Sequence, residues 1–201
     1  MTGTSEAVSV RVLDREYTVG VAPDERDSLM AAARLLDAVG VTCVVADDNP
    51  ANREKVAGET SARAVSTADA TELFDEVSIV VTSPGWRPDS PLLVAAQHAG
   101  LEVIGDVELC FRLDRAGVFG PPRTWLVVTG TNGKTTTTGM LAAMMAEAAR
   151  DTGRRASACG NIGVAVSKVM LLDERVDVLV AELSSFQLHW SSQLVPDAGV
   201  L

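Results

Sequence analysis

The 201-residue chain is poor in aromatic residues and in positive charge. It holds only four Phe, three Trp and one Tyr, so its core has to be built from Val, Leu and Ala, the material of a parallel sheet covered by helices. Lys and Arg number 17 against 27 Asp and Glu, for a formal net charge of -10. No clustered basic face is present, which excludes a surface that tracks nucleic-acid phosphates, and any phosphate bound here must be held locally. Cysteine is scarce. Cys43, Cys110 and Cys159 are isolated, odd in number and without metal-ligand spacing, which predicts reduced, mostly buried thiols and no structural zinc. The two histidines, His98 and His189, likewise have no ligand partner and read as helix or surface residues. No stretch approaches the roughly 18 apolar residues of a membrane span, and the opening residues MTGTSEAVSV lack a basic segment followed by an apolar one. The expectation is a cytoplasmic protein with no membrane partner. A hydrophobic fraction of 47% and a charged fraction of 22% exclude general disorder.

Strand and helix signals alternate along the chain. Val8, Val10 and Val12, a turn at Asp14 to Glu16, then Tyr17, Val19 and Val21 read as a β-hairpin. A helix opens at Pro23 and Asp24, carries Leu29, Ala32, Ala33 and Leu36 at helical spacing and closes at Gly40. Strands are expected over 41–46, 77–82 and 101–106, and helices over 90–99 and 107–116. Between them, residues 47–69 are polar and turn-rich, with room for a short helix at 50–57. DRAGVFGPPR at 114–123 concentrates Gly and Pro, and a domain boundary is expected near residue 121. Beyond it the pattern runs strand (125–129), Gly-rich loop, helix (134–150), strand (156–159), helix (164–173) and strand (177–183). PDAGVL reads as one further strand beginning. Met140, Met144 and Met145 are expected to fill the core. The fold class is α/β.

The strongest chemical signal is Gly130-Thr131-Asn132-Gly133-Lys134-Thr135-Thr136, set between the strand WLVVT and a helix. Glycines let backbone N–H groups turn inward, the helix N-terminus adds a positive dipole, Lys134 reaches the β and γ phosphates, and the Thr135 hydroxyl ligates Mg²⁺. The loop departs from G-x-x-x-x-G-K-[ST], because Val128 occupies the position six residues before Lys134 in that pattern's spirit and the first glycine is displaced to 130. Glu182 closes a strand where an open α/β sheet collects its ligands, so its carboxylate suits Mg²⁺ or serves as an acidic cap of the next helix. Asn161 offers an amide for phosphate or sugar, or is a plain turn residue. Asp47 with Asp48, and Ser83-Pro84-Gly85, end strands and read either as nucleotide contacts or as solvated turns.

GTNGKTTTT resembles the phosphate loop of the Mur ligase family. Gly160-Asn161-Ile162-Gly163, the run Glu182-Leu183-Ser184-Ser185-Phe186-Gln187-Leu188, Ser83-Pro84-Gly85 with Asp89-Ser90-Pro91, and Gly105-Asp106-Val107-Glu108-Leu109 resemble motifs of its D-glutamate-adding branch over about residues 39–201. The resemblance implies a Rossmann-like UDP-sugar domain (1–121, with an atypical start over 1–38) followed by a truncated phosphate-loop ATPase domain (122–201). It implies ATP and Mg²⁺ as cofactors and UDP-N-acetylmuramoyl-L-alanine and D-glutamate as substrates. Lys134 and Glu182 become catalytic residues, Gly130 to Thr136 the nucleotide loop, Thr135 and Glu182 the metal ligands. Asp47, Ser83, Pro84, Gly85, Asn161 and Ser184 become substrate contacts.

Residues 8–37 instead resemble the N-terminal hairpin and helix of the ZapA family of cell-division proteins, and no glycine-rich turn stands where the first domain of the ligases approaches a pyrophosphate. The expectation is an incomplete, inactive piece of a ligase that self-associates through an exposed sheet edge or its ZapA-like start. A non-catalytic division-related module and another ATP-dependent ligase of the superfamily are the alternatives.

Overall fold

The computed structural model describes residues 11–12, 15–16, 19–21 and 28–201. The chain forms two units, one ending at Ile104 and one spanning Gly105–Leu201. In the first, β1 (Arg11–Val12) and β2 (Arg15–Glu16) pair antiparallel, with Arg11 opposite Glu16. β3 (Val19–Val21), β4 (Cys43–Ala46), β5 (Arg63–Val65), β6 (Ile79–Thr82) and β7 (Glu102–Gly105) form a sheet in the order β5-β4-β3-β6-β7. β3 runs parallel to both β4 and β6, and β4 parallel to β5. Counted from β3, the order is third, second, first, fourth, fifth, that of a doubly wound sheet.

This corrects the hairpin reading of residues 8–21. Val19 and Val21 do not return along the first strand; they occupy the middle of the parallel sheet. A period-two pattern says which faces are apolar and leaves the pairing partner open, so the same valines satisfy either arrangement. Part of the stretch that resembles ZapA, including the expected helix start at Pro23 and Asp24, lies outside the described residues.

Helix α1 (Ser28–Ala38) buries Met30, Ala32, Ala33, Leu35 and Leu36. It ends where Gly40, at φ 72°, donates to the Asp37 carbonyl at 3.0 Å and Val41 to that of Leu36 at 3.0 Å, closing off carbonyls that the helix leaves open. In α2 (Pro50–Glu59), the Asn49 side chain accepts from Ala51 N and Pro50 takes the first helical position. α3 (Thr67–Ala70) and a 3-10 turn (Thr71–Glu76) follow, then α4 (Pro91–His98). β5 and α3 fall in the stretch read as polar loop, where Val56 and Ala62 are the buried apolar residues between Asp47 and Asp69 and give periodicity little to register. Val44, Leu73 and Val77, with Phe74 and Leu101 against them, form part of the core.

The second unit comprises α5 (Asp106–Arg115), β8 (Thr124–Val128), α6 (Lys134–Arg150), β9 (Ala156–Gly160), α7 (Val166–Met170), β10 (Val178–Glu182), α8 (Ser185–His189) and β11 (Ala198–Val200). Its sheet is parallel, in the order β11-β8-β10-β9. β10 is buried along its whole length, which accounts for its unbroken Val-Leu-Val-Ala run. The units divide ahead of α5, at Gly105, and not at the Gly- and Pro-rich stretch before residue 121. Buried charge accounts for this. Asp114 accepts from Arg123 Nη1 (2.7 Å), Arg123 N (2.9 Å) and Trp125 Nε1 (2.9 Å), while Arg123 Nε donates to Val176 O (2.9 Å). Glu108 pairs with Arg112 at 2.9 Å and accepts from Gln193 N at 2.9 Å. Phe111 meets the edge of Trp125 with ring centroids 5.4 Å apart.

Two of the methionines expected in the core lie outside it, Met140 at 57% and Met144 at 61% exposure. Thr138, Leu141, Ala142, Met145 and Ala149 form the less exposed stripe of α6, and Met140 and Met144 share a different one. All three thiols are buried and free; burial pushes Cys43 and Cys159 up to about 12, so neither is a nucleophile at neutral pH. No helix among the described residues is long and apolar enough to cross a membrane.

Asp114→Ala is expected to cost about 3–5 kcal/mol, since it leaves the Arg123 guanidinium and two N–H donors buried without their acceptor. Urea unfolding monitored by Trp fluorescence measures it, and a loss below about 1 kcal/mol would mean that the network does not hold α5 to β8.

Candidate functional site

The site forms at the carboxyl ends of β8, β10 and β9. Glu182 is level with Val128 of β8 on one side and Gly160 of β9 on the other. The backbone locks this register beyond the strands: Leu183 N donates to Val128 O (2.9 Å), Thr129 Oγ1 to Leu183 O (2.9 Å) and Asn161 N to Glu182 O (2.8 Å). The end of β10 is thereby fixed beside the origin of the glycine loop.

That loop leaves β8 and turns into α6 through two residues that only glycine adopts without strain, Gly130 at φ 127° and Gly133 at φ 77°. Thr131, Asn132, Gly133, Thr135 and Thr136 are exposed. Lys134 is the first residue of α6, and its Nζ donates to Gly130 O at 2.9 Å. No side chain caps α6, so its first N–H groups remain available to an anion.

Glu182 is 2% exposed, which makes an ionisable group at this strand end unusual. Asn161 Nδ2 donates to its Oε1 at 2.9 Å, and Oε2 is buried with no hydrogen-bond partner. A carboxylate oxygen left this way fits a cation. Among the described residues no group of three or more His, Cys, Asp or Glu could hold a metal. Mg²⁺ takes one or two carboxylates and completes its shell with hydroxyl, water and phosphate oxygens, so a single buried carboxylate oxygen fits it. Thr135 would supply the hydroxyl.

The structure thus brings Asn161 and Glu182 into contact and sets both beside the strand that leads into Gly130–Thr136. Ser184 is the N-cap of α8: its Oγ accepts from Gln187 N (3.2 Å) and its N donates to Gln187 Oε1 (2.9 Å). That reciprocal box occupies the residue structurally. Asp47 and Ser83-Pro84-Gly85 belong to the other unit, at the carboxyl ends of β4 and β6. Asp47 is buried and accepts from Asn49 N (2.7 Å) and Asn52 Nδ2 (2.8 Å). Asp48 accepts from Thr67, whose backbone N–H first and hydroxyl second hold its carboxyl below the usual value. Ser83 is buried and its carbonyl accepts from Trp86 N at 3.3 Å, closing a turn over Pro84 and Gly85.

The sequence motif Gly160-Asn161-Ile162-Gly163 contains Gly160 but does not reveal its steric role. A Cβ built there would lie 2.4 Å from the Glu182 carbonyl oxygen, and its φ is 96°. The signal was a glycine between a short strand and an asparagine, legible only once the strand across from it is known. Gly160→Ala is expected to lower the melting temperature by several degrees, because backbone on both sides has to shift. An unchanged melting temperature would mean that β9 and β10 are not this closely apposed.

Residues 128–201 match the Mur ligase middle domain. Over 169 residues the chain is 62% identical to a UDP-N-acetylmuramoylalanine–D-glutamate ligase of Corynebacterium diphtheriae, covering 84% of this chain and 35% of that protein. The corresponding ligase of Corynebacterium efficiens is 59% identical over 169 residues, with the same two coverages. That of Mycobacterium tuberculosis strain H37Rv is 52% identical over 171 residues, 85% of this chain and 33% of that protein. The chain spans about a third of the length of these relatives. The glycine loop and the buried Glu182 both lie in the stretch that matches the Mur ligase middle domain, a match that begins at the last residue of β8.

Proposed function

We propose that this chain is the nucleotide-handling part of an ATP-dependent ligase that joins D-glutamate to UDP-N-acetylmuramoyl-L-alanine in peptidoglycan precursor synthesis. The observation that carries the reading is the buried, partner-free Oε2 of Glu182 beside the strand that feeds the Gly130–Thr136 loop. In the proposed reaction the substrate carboxylate attacks the γ phosphorus of ATP and releases ADP. The amine of D-glutamate then attacks the acyl phosphate, and the tetrahedral adduct expels inorganic phosphate to leave the amide. Mg²⁺, bound with ATP, supplies positive charge along the phosphate chain. Lys134 gives up its bond to Gly130 O and places its ammonium on the β and γ phosphates, while the loop N–H groups and the start of α6 hold the remaining oxygens. Glu182 and Thr135 would hold the cation. The ligation itself is proposed for a longer protein, since this chain spans about a third of the length of the relatives it matches.

The unit ending at Ile104 is proposed to take the UDP-sugar at the carboxyl ends of its strands through Asp47, Ser83, Pro84 and Gly85. Its doubly wound strand order and the buried Asp47 and Ser83 support this reading. The segment after β3 reads Ala-Pro-Asp-Glu-Arg-Asp over 22–27, with three acids and no glycine. With no glycine in that stretch to permit close backbone approach, binding of the diphosphate by this unit is proposed to be weak.

Two measurements test the proposal. Calorimetric titration of the chain with ATP and Mg²⁺ is expected to give binding that Lys134→Ala abolishes; equal affinity in both proteins would remove the loop from the account. Titration with UDP-N-acetylmuramoyl-L-alanine is expected to give no saturation at micromolar ligand. Saturation there would mean that diphosphate binding does not need a glycine turn after β3.

A further inference from the structure

We propose that Asn161 is the positioning residue for the cation-binding carboxylate, holding Glu182 by Oε1 so that Oε2 is the oxygen presented to the metal. This rests on the reading of Glu182 as a Mg²⁺ ligand, and it gives Asn161 a different task from that of a substrate contact.

The geometry is specific. Asn161 follows the last residue of β9, and that residue, Gly160, is level with Glu182. Because Gly160 has no Cβ to strike the Glu182 carbonyl, the two backbones approach closely, and Asn161 N donates to that carbonyl at 2.8 Å. The same residue then donates from Nδ2 to Oε1 at 2.9 Å. Glu182 is therefore gripped twice by one neighbour, at its main chain and at one carboxylate oxygen, and the other oxygen stays without a partner. A carboxylate accepts hydrogen bonds and donates none when ionised, so the amide must present its NH₂ end. A glutamate has three side-chain torsions, and fixing them before the cation arrives removes an entropic cost that binding would otherwise carry.

The consequence for metal binding follows from the shortage of alternatives. No acidic cluster stands among the described residues to compensate for a misplaced Glu182. Mg²⁺ demands near-ideal octahedral geometry at short distance, so a freely rotating carboxylate is a poor ligand for it. Groups that hydrogen-bond a metal ligand from behind are generally worth 10–100-fold in metal affinity. The same size of effect is expected here.

The test uses the whole chain and measures ATP affinity by calorimetry, once with excess EDTA and once with Mg²⁺, with no UDP-sugar present. The gain in affinity given by Mg²⁺ is the readout. Asn161→Leu, which keeps the shape and removes the donor, is expected to reduce that gain about 10-fold or more while the affinity in EDTA stays within about twofold. Glu182→Gln is expected to abolish the gain, and the double variant to lose no more than Glu182→Gln alone, because Asn161 acts only through that carboxylate. If Glu182→Gln keeps the gain, the reading of Glu182 as a metal ligand fails. If Glu182→Gln loses it and Asn161→Leu keeps it, that reading stands and the positioning role is overturned. Equal losses with and without Mg²⁺, accompanied by a lower melting temperature, would assign Asn161 a purely structural role and overturn the proposal. Asn161→Ser serves as a second variant should the leucine disturb folding, and failure of both to fold overturns it equally.

Discussion

The parallel register of β10 is the constraint on which the site depends. Glu182 stands level with Val128 and Gly160, and the hydrogen bonds of Leu183 to Val128 and of Asn161 to Glu182 carry that alignment past the ends of the strands. A slip of one residue would turn the Glu182 side chain to the opposite face of the sheet and set a bulkier residue in place of Gly160. The loop, the carboxylate and the amide therefore form one device only because three strands end together. Open α/β sheets in general gather ligands at such an edge. Here the glycine loop follows β8, the first of the three strands in sequence, and a lone carboxylate ends β10, its neighbour in space.

Rigidity behind this edge comes from charge buried in pairs. Helix α5 is stitched to β8 through Asp114, Arg123 and Trp125, and to the segment after α8 through Glu108 and Gln193. Such pairs add little net stability over apolar packing, but each leaves donors and acceptors that only one arrangement satisfies. Asp197 extends the pattern, accepting from Trp125 N at 2.8 Å and Arg115 Nη2 at 2.9 Å where β11 joins β8. The apolar side of the same region, Phe111 against Trp125, fills the space between helix and sheet. The scaffold is thus specified at both ends of β8, by ion pairs at its start and by the register with β10 at its finish.

The sequence made some of this legible and hid the rest for physical reasons. The loop could be read because glycine, lysine and threonine stand between an apolar strand and a helix, all within a dozen residues. Glu182 could be read as a strand-end acid, since an ionisable residue closing a buried run is conspicuous. The grip of Asn161 on Glu182 could not, because the two are 21 residues apart and meet only through strand register. Nor could the allegiance of α5, whose contact between Glu108 and Gln193 spans 85 residues. The alternation of Val19 and Val21 announced a strand but not its neighbours, and the three methionines of α6 looked alike until the helix chose which stripe to turn toward the sheet. Gly160 could be read only as part of a motif, and its close approach to the Glu182 carbonyl emerges from the strand register.

The central claim is that loop and carboxylate form one cation and phosphate site. Its most direct measurement is paramagnetic broadening of backbone amide resonances by Mn²⁺ and ATP. The account predicts distance-dependent broadening that covers residues 130–136 together with Gly160, Asn161 and Glu182, and that is lost in Glu182→Gln. Broadening confined to the loop, or unchanged when Glu182 is replaced, would contradict it.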